Sequence, residues 1–195
     1  MYSDEYSSKQ VIVLLSGGID SMACVHYYIN KGFNVTGFFV DYGQAAAKNE
    51  LKCCNQIGSH FNIKIKKANF VHETAFESGE IKGRNCFLII ATLLSFKNFT
   101  GLISMGIHSG TSYYDCSIQF VNEIQTIIDG YSNGTVILDI PFLEWNKKLI
   151  IEYCNLHKIP LEMTYSCESG GDNPCNKCLS CLDRLNFYEN KNFGH

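Results

Sequence analysis

The run Leu14-Leu15-Ser16-Gly17-Gly18-Ile19-Asp20-Ser21 constrains this chain most. It follows an apolar β-type stretch, Val11 to Leu15, and leads into a helix-like stretch from Asp20 to Lys31. A strand that turns through two glycines into a helix leaves backbone N–H groups without partners at the turn. With the helix dipole behind them, those donors form an anion site. Gly17 and Gly18 let the backbone approach an anion with no Cβ in the way. Ser16 and Ser21 can add hydroxyl donors. The expectation is an enzyme that grips a nucleotide's phosphates here.

A glycine pair alone is common in plain turns. Two serines and an Asp around the pair, straight after the first strand, favour the phosphate reading. The loop is not a Walker A sequence, because no Lys-Ser or Lys-Thr follows the glycines. It resembles the pyrophosphate-binding PP-loop, SGGxDS, of adenylating α/β ATPases. That resemblance implies a loop holding the leaving pyrophosphate.

Strand-like runs at Val11–Leu15, Val35–Val40, Asn62–Ile65, Leu102–Met105 and Thr135–Leu138 alternate with helix-like runs. The helical runs fall at about 20–31, 44–59, 84–97, 117–128, 146–157 and 179–189. The alternation predicts an α/β fold, a parallel five-stranded sheet with helices on both faces. Ligands on such sheets sit at the carboxyl ends of the strands, here the loops after Leu15, Val40, Met105 and Leu138. The expected organisation is one domain over 1–195, with a small C-terminal lobe at about 160–189 and a polar tail from Glu189 to His195.

The net charge of −3 argues against broad nucleic-acid binding. No apolar run approaches the ~20 residues that span a bilayer. Met1 to Gln10 is polar and lacks a secretory apolar core, so the chain reads as cytoplasmic. Among ten cysteines, Cys24, Cys53, Cys54, Cys86, Cys116 and Cys154 are scattered and read as small buried apolar groups. The other four, Cys167, Cys175, Cys178 and Cys181, fall within fifteen residues. Four thiolates at this spacing suit a closed tetrahedral structural zinc site. An iron–sulfur cluster could use the same ligands, but no other feature suggests electron transfer. The polar, glycine-containing stretch Glu168 to Pro174 cannot build a core, so a metal must fix it.

Taken in order, SGGxDS, Gly83-Arg84-Asn85, Tyr114-Asp115-Cys116 and the four-cysteine knuckle resemble the 7-cyano-7-deazaguanine synthases, the QueC family. The resemblance runs from about Val11 to Tyr188. It implies a PP-loop ATPase fold, a structural Zn²⁺, use of ATP with Mg²⁺, and a homodimer. The implied reaction converts 7-carboxy-7-deazaguanine, with ammonia, to the amide and then the nitrile. Ser16, Gly17, Gly18, Asp20 and Ser21 then correspond to the phosphate grip. Asp41-Tyr42-Gly43-Gln44 sits at the family's second loop, so Asp41, Tyr42 and Gln44 are cofactor-binding candidates. Arg84, Asn85, His108, Tyr114 and Asp115 are substrate-binding candidates. Asp20, Arg84 and Lys147 are the catalytic candidates, and Arg184 follows the knuckle at the family spacing.

The residue types fit the chemistry. A carboxylate is a poor electrophile, and transfer to AMP gives it a good leaving group. Arg84 and Lys147, with Mg²⁺, would offset charge building on the phosphates. Positioning of the amine counts for more than a strong base. Each residue also has a plainer role. Arg84 can brace a helix start, Lys147 beside Lys148 can be a solvated face, and Asp115 can cap the following helix. His108 can be a hydrogen-bonded structural histidine. Phe142 and Trp145 read as core, while the loop positions of Tyr42 and Tyr114 favour stacking on a purine-like ring.

The chain departs from the family pattern at Ala45-Ala46-Ala47, where Arg-His usually follows the Gln. It departs again in a shortened segment Asn69 to Lys82, in a shortened Gly106 to Cys116, and at Ser112-Tyr113-Tyr114 in place of Ser-Gly-Tyr-Pro. These changes imply a more open mouth. QueC-like proteins also occur among bacterial antiviral defence gene clusters. Conjugation of the deazapurine acid to a protein amine, an N-terminus or a lysine, is therefore an alternative to ammonia. Two further alternatives are a tRNA thiolase, which the missing basic surface disfavours, and a non-catalytic nucleotide sensor.

Overall fold

The computed structural model describes residues 9–70, 76, 79–108, 110 and 113–191, with backbone alone for 186–191. Met1 to Ser8, Ser112, part of the segment between Asn69 and Lys82, and the end of the polar tail lie outside the described residues.

Five strands, β1 (Gln10–Leu14), β2 (Asn34–Asp41), β3 (Lys64–Asn69), β4 (Gly101–Met105) and β5 (Val136–Asp139), form one sheet in the order β3-β2-β1-β4-β5. Every pairing is parallel. The α-helices are α1 (Ile19–Asn30), α2 (Ala47–Phe61), α3 (Arg84–Ser95), α4 (Ile118–Ser132), α5 (Lys147–Leu156) and α6 (Leu179–Lys191).

The central strand β1 is buried along Val11 to Leu14, as a strand covered on both faces must be. Its residues alternate between two cores. Val11 and Val13 pack with Cys54 and Ile57 of α2 and Ile150 of α5. Ile12 and Leu14 pack with Ile89 of α3 and Phe120, Ile124 and Ile128 of α4. Helices thus cover both faces, as the alternation predicts. Burying one such side chain contributes roughly 1.5–3 kcal/mol. Phe142 is fully buried, and Trp145 packs beside it, half-buried. β3 is an edge strand whose exposed Lys64, Lys66 and Lys67 discourage further pairing.

The order places the chain's reversal between β1 and β4. The C-terminal ends of these two strands flank the crevice where α/β sheets bind ligands. Gly106, just past β4, passes so close to the start of α1 that a Cβ there would stand 2.7 Å from the Asp20 carbonyl carbon.

Several boundaries differ from the sequence expectation. β3 begins at Lys64, not Asn62, because α2 runs to Phe61 and Asn62 ends it in the left-handed conformation, φ 52°. α2 starts at Ala47 rather than 44, because Gln44 to Ala46 form a turn closed by Ala47 N–H to the Gln44 carbonyl at 3.0 Å. α4 outruns its apolar stripe and stops only at left-handed Asn133. Asp115 does not cap α4. Ser117 does, its Oγ accepting the Phe120 N–H at 3.1 Å.

Candidate functional site

A cavity of about 390 Å³ opens at the C-terminal ends of the strands. The glycine turn forms its floor. Gly17 has φ +74°, and a Cβ there would lie 2.7 Å from the Glu50 carbonyl oxygen. Gly18 caps α1 with no side-chain hydrogen bond, so the first-turn N–H groups that line the cavity have no such cap. Ser21 is buried and braces the turn. Its hydroxyl donates to the Gly18 carbonyl at 3.0 Å and accepts from the Ser16 N–H at 3.3 Å. Ser16 is exposed to the cavity.

Asp20, in the first turn of α1, meets Lys147, the first residue of α5. Lys147 Nζ lies 2.7 Å from Oδ1 and 2.6 Å from Oδ2. Asn146 sets the start of α5 by accepting the Leu149 N–H on its side chain. Lys148, in contrast, points to solvent beside Glu152. His108 lines the same wall, and its Nδ1 accepts the Gly110 N–H at 3.0 Å. Burial holds its pKa below the ordinary value, although the Asp20 charge opposes this. The neutral ring therefore carries its proton on Nε2, as a donor.

Across the cavity, Arg84 opens α3 behind the left-handed cap Gly83. Its Nε donates to Asn85 Oδ1 at 3.3 Å. Burial raises the Tyr42 phenol and the Glu50 carboxyl, with the Arg84 charge opposing both. Gln44 clasps its own loop. Its Oε1 accepts the Tyr42 N–H at 2.9 Å, and its Nε2 donates to the Val40 carbonyl and, at 2.8 Å, to Glu50.

Ser16, Gly18, Asp20, Ser21, Tyr42, Gln44, Arg84, Asn85, His108 and Lys147 thus share one cavity. Four expected residues stand outside its wall. Gly17 supports the turn from behind, and Asp41 accepts the Gly43 N–H. The Tyr114 hydroxyl donates to Glu123 on α4, with the ring half exposed. Asp115 is buried, and its carbonyl accepts the Asn85 side chain at 3.1 Å. The neighbouring Tyr113 and Cys116 line the cavity instead. Glu50, Glu168 and Asp183 also line it and were not read from the sequence. Glu50 offered one weak signal, a carboxylate on the helix after the Gln44 loop. Glu168 and Asp183 offered none.

The sulfur atoms of Cys167, Cys175, Cys178 and Cys181 all lie within 4.8 Å of one another. Tetrahedral bonds of ~2.3 Å would separate ligand sulfurs by about 3.8 Å, and Cys175 and Cys181 Sγ stand 3.9 Å apart. The Cys178 and Lys177 N–H groups draw the Cys175 thiol down to about 6, toward the thiolate that binds metal. The donor set fits a single thiophilic ion. Cys24, Cys54 and Cys154 are buried, whereas Cys53, Cys86 and Cys116 are partly exposed. No helix among the described residues is long and apolar enough to cross a membrane.

A parallel sheet of this order, with a glycine turn leading from its central strand into a helix, defines a PP-loop ATPase-like α/β protein. Two solved structures share the fold. One is a 4-thiouridine synthetase–RNA complex with bound ATP (TM-score 0.53, 18% identity, 93% of this chain and 50% of that one). The other is a predicted tRNA methyltransferase subunit from Methanocaldococcus jannaschii (TM-score 0.51, 12% identity, 75% and 74%). The family model for the queuosine biosynthesis protein QueC matches residues 10–82 and 64–192. The 7-cyano-7-deazaguanine synthase of Prochlorococcus marinus (strain MIT 9215) is 30% identical over 213 residues, 93% of this chain and 94% of the relative. That of Campylobacter jejuni subsp. jejuni serotype O:2 is 29% identical, over 95% and 96%. The chain belongs to the QueC family.

Proposed function

We propose that this chain is an ATP-dependent ligase that forms C–N bonds on 7-carboxy-7-deazaguanine. The observation that carries the reading is one cavity where the glycine turn, Arg84, and the pair Asp20–Lys147 converge, in a QueC-family chain. A carboxylate oxygen of the acid attacks the α-phosphorus of ATP, and the bond to pyrophosphate breaks. The N–H groups opening α1 and the Ser16 hydroxyl hold the departing pyrophosphate, and Ser21 braces the turn that presents them. Lys147 and Arg84 offset the negative charge that builds. The His108 Nε2–H donates to an anionic oxygen rather than acting as a base. Tyr42 and Asn85 contact the purine-like ring, and the Gln44 clasp fixes the loop that carries Tyr42. An amine then attacks the acyl carbon, and AMP leaves. With ammonia the product is the amide. A second ATP, spent in the same way on the amide oxygen, gives the nitrile.

Mg²⁺ arriving with ATP adds positive charge beside the phosphates, and Asp20 is the nearest carboxylate of the turn. Cys167, Cys175, Cys178 and Cys181 would hold Zn²⁺, which cross-links the lobe and takes no part in the reaction. The same reading makes the protein a single-domain, cytoplasmic homodimer.

A second reading has a specific observation behind it. Ala46, in the triplet that replaces the family's Arg-His, lines the cavity. Methyl groups there leave room for a larger amine, so a protein N-terminus or lysine is the alternative acceptor, in an antiviral defence setting. Mass spectrometry of products from ATP and 7-carboxy-7-deazaguanine, with ammonium or with candidate proteins, tests these readings. AMP, pyrophosphate and the nitrile support the synthase. A protein adduct without nitrile supports the conjugating enzyme. ATP binding without AMP refutes both and leaves a sensor.

A further inference from the structure

We propose that Glu168 is a positioning residue that ties the segment leading to Arg84 onto the four-cysteine lobe and so sets the acid-binding half of the cavity. The inference rests on the reading above that Arg84 meets the acid.

Glu168 directly follows Cys167, which is buried. Its carboxylate joins two stretches of chain far apart in sequence, at Gly79 and at Ser180. One oxygen, Oε2, accepts the Gly79 N–H at 3.1 Å. The other, Oε1, accepts the Ser180 N–H at 3.3 Å and the Ser180 hydroxyl at 2.8 Å. Ser180 lies in the first turn of α6, where a carboxylate is favoured by unpaired N–H groups and by the helix dipole. That side of the contact anchors Glu168. The other side holds Gly79.

Gly79 needs holding. It has φ +104°, and nothing lies within 4 Å of where a Cβ would stand. From Gly79 the chain turns quickly into α3. The Arg84 N–H bonds the Ile81 carbonyl at 3.0 Å, and the Phe87 N–H bonds Gly83 at 2.9 Å. Displacement of Gly79 is therefore passed to the Arg84 backbone within five residues. Gly79, Ile81, Arg84, Glu168 and Ser180 all line the cavity. A carboxylate can accept at both oxygens, whereas an amide accepts at one. Glu168→Gln therefore cannot accept from both the Gly79 N–H and the Ser180 N–H.

The test compares wild type, Glu168→Gln and Ser180→Ala, each purified with its metal. It reads metal per chain, amide hydrogen exchange over residues 79–84, and Michaelis constants for 7-carboxy-7-deazaguanine and for ATP. Glu168→Gln is expected to retain its metal and to exchange faster at Gly79 to Arg84. Its KM for the acid should rise about tenfold, the scale of one lost charge-assisted hydrogen bond, with kcat and the KM for ATP within about twofold. Ser180→Ala, which removes one of the two anchoring bonds and leaves the Gly79 contact in place, should raise the acid KM in the same direction but by less than Glu168→Gln does. Loss of metal in Glu168→Gln overturns the proposal, because Glu168 would then be part of the lobe's own fold. A higher acid KM without faster exchange also overturns it, because the carboxylate would then touch substrate directly. Unchanged exchange and unchanged KM overturn it outright. If wild type does not turn over the acid, the proposed function fails, and exchange at Gly79 alone then decides whether Glu168 holds the segment.

Discussion

Lys147 Nζ sits 2.6 Å from Asp20 Oδ2, joining the first helical turn after the glycines to the first residue of α5. Two side chains 127 positions apart thus share one wall of the cavity. Each neutralises the other. On the proposed reading, arriving phosphates would compete with Asp20 for the ammonium, and a divalent cation would compete with Lys147 for the carboxylate.

Lys147→Met should therefore reduce acid-dependent AMP formation by roughly 10²–10³-fold, the usual scale for losing a charge that stabilises a transition state. The fold should barely notice. Both side chains are about a quarter exposed, and such pairs contribute ~1 kcal/mol or less. AMP quantitation beside a thermal melt checks both halves.

The two glycines of the turn should respond differently to alanine. Gly17→Ala puts a Cβ 2.7 Å from a backbone oxygen at φ +74°, and should cost on the order of 2 kcal/mol or more in a urea titration. Gly18 has φ −85°, and its nearest neighbour to an added Cβ is 3.4 Å away. Gly18→Ala should cost under about 1 kcal/mol and, if the turn meets phosphate as proposed, reveal itself in nucleotide affinity, because the new methyl would stand against the anion.

Metal removal should unfold the lobe rather than only slow turnover. Chelation, or Cys178→Ser, is expected to remove the ion and lower the melting temperature, because polar residues 168–174 have little apolar surface to bury. Metal analysis and calorimetry on the same sample decide this. A Cys178→Ser protein with full metal and an unchanged melt would refute it.

The protein should lose stability as pH falls below about 6.5. His26 bonds the Tyr153 hydroxyl at 2.7 Å and lies 4.9 Å from the His157 ring. Burial, then the neighbouring His157, lowers its pKa from 6.5. The unfolded chain takes up this proton at a higher pH than the folded one. Below the unfolded value, protons therefore favour unfolding, and stability falls until the folded value is passed. His108 adds a contribution of the same sign. His26→Gln should shrink the stability difference between about pH 7.5 and about pH 5.5 in paired urea titrations.

The alternation of apolar runs with helical ones revealed the parallel sheet because each central strand had to be apolar on both faces. The cysteine cluster was legible because its four ligands lie close together in the chain. Relationships across long separations were not. Nothing around Asp20 announces Lys147, and nothing around Glu168 announces Gly79. β3 starts later than the sequence suggests, because Asn62 reads equally well as a strand residue or as a left-handed helix stop. Tyr114 reads as a loop aromatic, but its hydroxyl donates to the Glu123 carboxylate, nine positions on in α4, and half of the ring stays exposed.

The glycine turn near the start of the chain is propped by residues near its end. The Tyr165 N–H bonds the Gly17 carbonyl at 2.9 Å, and Gly170 presses on the Ala45 carbonyl, which a Cβ would approach to 2.1 Å. Arg184 holds that late segment in place through the Thr164 carbonyl at 2.9 Å. A chain cut short before Tyr165 would carry all five strands and a glycine turn without this support. If this turn holds a nucleotide as proposed, its support would be complete only once the cysteine lobe has folded back onto the first strand's exit.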